Sequence, residues 1–203
     1  AIDQLVDSVA AAARLPSAVV LVDKEGQTIY QRAIGDADLE NHVPATLDSV
    51  YGMGSITKSV TALAIAQLVE AGRVDLDSPV TRYLPDYKGP GGVATIRQLL
   101  THSSGIPNYT NEVPGIRKGL ERTAYDRNQM VAFFADRPLN FAPGTMFSYS
   151  NSGYYLLGLV IEAASGTDYY EYLRRNVFEP LGMNHSYSGD FAEVIPRRAR
   201  GYD

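Results

Sequence analysis

Residues 51–72 read YGMGSITKSVTALAIAQLVEAG. Apolar side chains at Ile56, Val60, Leu63, Ala64, Leu68 and Ala71 recur at helical spacing, and Gly72 closes the run as a left-handed cap. One residue is out of place in this helix. Lys58 falls in the first turn, where unpaired N–H groups carry partial positive charge and a cation is disfavoured. Ser55 lies three residues earlier, so the two side chains share a face about one turn apart. A serine hydroxyl is a weak nucleophile until a neighbour takes its proton. A lysine can take it when neutral, and burial or a nearby positive potential favours that state. The same helix end would stabilise negative charge on a carbonyl oxygen held near the backbone N–H of Ser55. The competing reading is a Ser55 that caps the helix and a Lys58 that points outward. Chance alone produces S-x-x-K about 0.3 times in this composition, so the motif by itself leaves both readings open.

Working outward, Ile2 to Ala13 predicts a short helix. SAVVLVDKEGQTIYQRAIG predicts two strands around a turn at Asp23–Gly26. Downstream, helices are expected at Ile96–Leu100, Asn128–Ala135, across SNSGYYLLGLVIEAASG closing at Gly166, and across TDYYEYLRRNVFEPLG ending at Pro180 and Gly182. A long irregular stretch with Pro107, Pro114 and Gly115 runs from Gly105 to Tyr125, a length usual for a functional rim or a disordered loop. One hairpin therefore opens the chain and helices fill nearly all the rest. A lone hairpin is marginal in water, so the sheet looks unfinished.

Composition narrows the function classes. At 203 residues the chain suits one domain, or one large domain cut short, and is long enough for a real core. Its net charge of -5 argues against a nucleic-acid partner, and the pairs Arg174-Arg175 and Arg197-Arg198 read as solvated faces. There is no cysteine, which excludes disulfides and cysteine–zinc sites. His42 and His185 stand alone in loops, no H-E-x-x-H spacing exists, and neither a catalytic metal nor a cofactor is expected. No apolar run approaches membrane-spanning length. The chain begins at Ala1 with no signal-like segment after it, so it reads as a processed or trimmed product.

The blocks MGSITKSVTALAIAQLVEAGRVDLDSPVTRYLP, TIRQLLTHSSGIP and PGTMFSYSNSGYYLLGLVIEAASG, in this order, resemble the serine β-lactamase-like and penicillin-binding-protein-like hydrolases. The nearest group is that of class C β-lactamases, D-alanyl-D-alanine carboxypeptidases and related esterases. The likeness runs from about Ser17 to the end of the chain. S-x-x-K is among the signatures of class A β-lactamases and penicillin-binding proteins. The resemblance implies that Ser55 is the acylated nucleophile and that Lys58 activates it or holds the proton network. Tyr149 and Asn151, in SYSN, match a Y-x-N motif whose tyrosine acts as base or proton shuttle and whose asparagine binds the substrate amide. A tyrosine beside a lysine is pulled toward phenolate, and positions i and i+2 of an extended segment face one side. Tyr109-Thr110-Asn111 is also Y-x-N; Pro143-Gly144 and the helix after it favour Tyr149, leaving Tyr109 a packing role. His102 lacks a G-x-S-x-G elbow and reads as a packed, hydrogen-bonded histidine.

The implied fold is α+β: an antiparallel sheet with flanking helices plus an all-helical lobe. Residues 1–50 would supply the helix and hairpin of the sheet lobe, and 51–185 the helical lobe with the serine helix. In that family the chain continues past the position of RARGYD with three more strands, a closing helix and a Lys-Thr-Gly or His-x-Gly motif. The expectation is thus a C-terminally incomplete β-lactamase-like domain, a chain completed by a companion segment, or protomers that exchange strands. Substrates implied are β-lactams, D-amino-acid peptides resembling peptidoglycan, or esters. The alternative is a penicillin-binding, peptidoglycan-sensing module, or an inactive fragment. Cell-wall-active relatives suggest a periplasmic or secreted location, although such esterases also occur in cytosol.

Overall fold

The computed structural model describes residues 1–112, 124–188 and 193–202, and these form two compact units, Gly54–Ser186 and the two flanking segments together. In the flanking unit, helix α1 (Ile2–Ala13) precedes strands β1 (Ser17–Lys24) and β2 (Gln27–Asp38), as the sequence predicts. The strands pair antiparallel from Ser17↔Gly35 to Lys24↔Gln27. Glu25 and Gly26 both have positive φ, the requirement of a two-residue type I′ hairpin, and Asp23 Oδ1 accepts from the Gly26 N–H at 2.9 Å. Helix α1 is tied to β2 by Asp3, which accepts from the Tyr30 hydroxyl at 2.7 Å, and by Asp7, 2.8 Å from Arg32.

A two-residue strand β3 (Val43–Pro44) completes the order β1-β2-β3, so among the described residues β1 has a neighbour on one side only. Residues near the C-terminus join this unit. Val50 exchanges backbone hydrogen bonds of 2.9 Å with Arg197 and Ala199, and Arg200 N–H donates to Ala37 O at 2.9 Å. The Tyr202 hydroxyl accepts from the Leu39 N–H and donates to Glu40, and Arg197 pairs with Asp48 at 3.2 Å.

The second unit is helical. Helix α2 (Thr57–Glu70) follows a 3₁₀ turn at Gly54–Ile56; then come α3 (Ile96–Leu100), α4 (Tyr109–Glu112), α5 (Arg127–Ala132), α6 (Asn151–Ser165) and α7 (Tyr169–Leu173). Gly72 and Gly166 adopt the expected left-handed caps. Capping boxes start α3 (Thr95 with Gln98) and α5 (Asp126 with Gln129), and α5 ends three residues earlier than expected, in a turn.

The last predicted helix changes character at Arg174, passing into a π-helical turn over Arg174–Phe178. There the Asn176 side chain donates to the Tyr172 carbonyl at 2.9 Å, taking the acceptor that an α-helical N–H would use. Arg174 and Arg175 pair with Glu171 on the outside. Part of the stretch predicted irregular, residues 113–123, lies outside the described residues.

The core sits between α2 and α6. Ala64, Ile65 and Leu68 of α2 meet Leu156, Leu157, Val160 and Ile161 of α6, all at most 2 % exposed. The stripe is offset from the one expected. Ile56 and Leu63 are exposed at 66 % and 44 %, while Thr61 and Ile65 are buried. Thr61 is tolerated inside because its hydroxyl reaches Thr57 O at 3.0 Å and the Tyr169 hydroxyl at 2.6 Å. No described helix is long and apolar enough to cross a membrane.

Candidate active site

The start of α2 carries no side-chain cap. Ser55, in the preceding turn, turns its hydroxyl away from the helix backbone. Its Oγ lies 2.5 Å from the Tyr149 hydroxyl and accepts from Lys58 Nζ at 3.2 Å. Lys58 Nζ also donates to Asn151 Oδ1 at 2.7 Å. The four side chains singled out from the sequence therefore form one continuous hydrogen-bonded chain, across almost a hundred residues of separation. The capping role weighed for Ser55 is not the one it fills.

Aromatic faces surround the lysine. Its Nζ lies 4.7 Å from the centroid of the Tyr149 ring and 5.5 Å from that of Tyr154. Ring quadrupoles attract a cation at such distances, so this cradle suits an ammonium. The lysine is not fully buried: Ser55 is exposed, Tyr149 is 40 % exposed and Lys58 is half-buried. Burial pulls the Tyr149 phenol upward, but interaction with Lys58, the hydrogen bond with Ser55 and the lysine's charge outweigh it. The phenol ends below its ordinary value of 10.

Asn151 is the first residue of α6, not part of an extended segment, and its amide is held from behind. Its backbone N–H donates to Asn108 Oδ1 at 3.2 Å, and its Nδ2 donates to Thr110 Oγ1 at 3.0 Å. These bonds leave Oδ1 for Lys58. Ser150 caps the helix through the Gly153 N–H. The buried Ser152 hydroxyl donates to Pro107 O at 2.6 Å and accepts from Tyr109 N–H at 3.1 Å, fastening the loop before α4 to α6.

Two supporting residues escaped the sequence reading, and a third, His102, is packed and hydrogen-bonded as expected. Asn108 belongs to no motif, and Thr110 is the unassigned middle residue of the second Y-x-N triplet; their polar side chains after Pro107 were the available signal. His102, read as packed, touches the site directly, its ring centroid 4.6 Å from that of Tyr149. Tyr109 stacks on Phe134 at 6.1 Å, in keeping with a packing role. A cavity of about 400 Å³ opens beside Lys58 and Asn151, walled by Thr61, Tyr109, Tyr155 and Tyr169.

A family model described as Beta-lactamase matches residues 2–203. The chain belongs to the β-lactamase family. Among curated relatives of this β-lactamase-family chain, "Esterase EstB" of Burkholderia gladioli is 35% identical over 194 residues, covering 90% of this chain and 49% of the relative. "Serine beta-lactamase-like protein LACTB, mitochondrial" of Homo sapiens is 28% identical, covering 92% and 46%. Among solved structures, the octameric penicillin-binding protein homologue from Pyrococcus abyssi superposes with a TM-score of 0.83 at 34% identity, over 99% of this chain and 47% of that one. The D-amino acid amidase from Ochrobactrum anthropi SV3, complexed with D-phenylalanine, gives 0.78 at 32%, over 95% and 53%. The fold is thus β-lactamase/transpeptidase-like. The chain spans about half the length of these relatives.

Proposed function

We propose that this chain carries the nucleophile, base and amide-binding groups of a serine hydrolase that works through an acyl-enzyme. The observation that carries the reading is the 2.5 Å contact between Ser55 Oγ and the Tyr149 hydroxyl, with Lys58 joined to the same serine. Tyr149, as phenolate, takes the Ser55 proton while Oγ bonds to the substrate carbonyl carbon. The ammonium of Lys58 steadies the phenolate. The resulting oxyanion faces the backbone N–H of Ser55 at the helix end. Tyr149 then returns the proton to the leaving amine or alkoxide as the C–N or C–O bond breaks. Water repeats the sequence on the ester to release the acid and restore Ser55. The proton acceptor in this scheme is Tyr149, with Lys58 holding the network through Ser55 and Asn151.

Esters and D-amino-acid amides are the substrates favoured, because the relatives include an esterase and a D-amino acid amidase. The cavity beside Lys58 and Asn151 has the size and aromatic walls to take an apolar substituent. A second reading, a penicillin-binding module that acylates without turnover, is favoured by neighbours described as penicillin-binding proteins. Strands added at the free side of β1, from a further segment or a second chain, would complete the sheet in either case.

Labelling the protein as encoded with a fluorophosphonate and a fluorescent penicillin tests both. Steady release of p-nitrophenol from an ester supports the hydrolase, whereas a stable label without turnover supports the sensor. Ser55→Ala should abolish labelling with the circular dichroism spectrum unchanged. Lys58→Ala should slow it by about 10²-fold or more. A labelled Ser55→Ala protein sinks the assignment of the nucleophile.

A further inference from the structure

The backbone around Tyr149 is held from a single residue. Ser148 N–H donates to the His102 carbonyl at 2.9 Å, and Ser150 N–H donates to His102 Nδ1 at 3.2 Å. Both neighbours of Tyr149 are thereby pinned by His102, one through its main chain and one through its ring. The ring itself lies between aromatic side chains: centroids are 4.6 Å away at Tyr149, 5.0 Å at Tyr154 and 5.9 Å, edge-on, at Phe147. His102 reaches this position with a φ of 56°, in the left-handed region where Asn, Asp and His are the favoured residues besides Gly.

We propose that His102 is a positioning residue for the proton transfer, aiming the Tyr149 hydroxyl at Ser55 Oγ as a neutral imidazole with its proton on Nε2. The inference rests on the hydrolase reading above. An imidazolium has no lone pair at Nδ1, so protonation there is incompatible with the bond from Ser150 N–H. The groups facing the ring act the same way. From α2 comes the Lys58 ammonium, from the adjoining loop the Tyr149 phenol, and from α6 the Tyr154 phenol, whose hydroxyl is engaged with Leu100 O at 3.0 Å. A second cation would sit beside Lys58 with no carboxylate among these neighbours to offset it. Burial first and the Lys58 charge second hold the imidazole below its ordinary 6.5.

The consequence is a particular pH profile. Activity falls tenfold per pH unit as Tyr149 gains its proton, and a hundredfold per unit once His102, below pH 6.5, is protonated too. Asparagine tolerates positive φ and can place an oxygen near the Nδ1 position, but it does not titrate. His102→Asn should therefore keep most of kcat near neutrality and lose the steeper acid region. His102→Leu, with no acceptor for Ser150, should lose about 10²-fold in kcat with KM little changed, and raise the Tyr149 phenol in a spectrophotometric titration. In the unmodified protein, ¹⁵N NMR of the ring should show Nδ1 unprotonated at neutral pH, independent of any variant's folding. An Nδ1–H resonance, or a His102→Asn profile that retains the steep acid region, overturns the proposal. Loss of the Ser55 label in Ser55→Ala alongside either result leaves the hydrolase reading standing, so the two failures are distinguishable.

Discussion

Tyr149 and Lys58 divide the work between a group that can give up a proton and a charge that makes giving it up easier. The phenol lies below 10 although partial burial opposes this, because interaction with Lys58 and the hydrogen bond with Ser55 favour the anion. Other tyrosines go the opposite way. Burial, helped by the charge of Asp136, pushes Tyr87 up to about 12, and burial also raises Tyr109 and Tyr169. A near-ultraviolet phenolate titration should therefore show one early tyrosine that vanishes in Tyr149→Phe. That variant should also lose about 10²–10⁴-fold in kcat, the range for removing a positioned base.

The sign for stability follows from the same shift. A phenol lowered by folding stabilises the folded state above the unfolded pKa and loses that contribution as pH falls through the folded value. The stability difference between the protein and Tyr149→Phe should therefore grow as pH rises toward the ordinary phenol range and shrink on acidification, which thermal melts across the alkaline range can check. The three-residue spacing of Ser55 and Lys58 was visible but open to two readings, and Tyr149 came from the family resemblance. The partners of His102, Asn108 and Thr110 were not legible, since a hydrogen-bond acceptor for a donor distant in sequence leaves no periodic trace.

Among the elements, α6 carries the most structural responsibility, because its first turn presents Asn151 while its body fills the core. Ser152 at this turn is fully buried and meets two backbone groups of the preceding loop, Pro107 O and Tyr109 N–H. Replacing it with Ala leaves both without that partner in the interior. Ser152→Ala should cost about 1–3 kcal/mol, read as a lower urea midpoint, and loosen Asn151 through Asn108. The helices α1 and α3 were legible to the residue and the hairpin turn nearly so, at Glu25–Gly26 within the expected Asp23–Gly26, because caps, glycines and alternation are local signals. The π turn at Arg174 was not legible, since it depends on where the Asn176 side chain finds an acceptor. The buried stripe of α2 was read one step off for a related reason: Thr61 looks polar until Tyr169 supplies its partner.

For the molecule as a whole, the unit spanning Gly54–Ser186 contains the four side chains of the site and the α2–α6 core that holds them. Ile65 is fully buried at the centre of that core. Ile65→Ala should destabilise by about 2–5 kcal/mol, a cavity effect that lowers the urea midpoint with little change in slope. Activity and tertiary circular dichroism should disappear together along that curve, because the helices that pack the core also aim Ser55 and Asn151.

Tyr149 and Asn151 were named through the family resemblance; by itself, the sequence determined the succession of helices, the opening hairpin and the i, i+3 spacing of Ser55 and Lys58. Those are written in neighbours a few residues apart, where spacing and backbone preference speak directly. Tertiary structure alone decided that Ser55 faces Tyr149 rather than its own helix, that Lys58 rests on two aromatic faces in a half-open site, and that His102 grips both sides of Tyr149. Hydrogen bonds and ring contacts between residues about fifty to a hundred positions apart exist only once the chain has packed, so no local pattern can encode them.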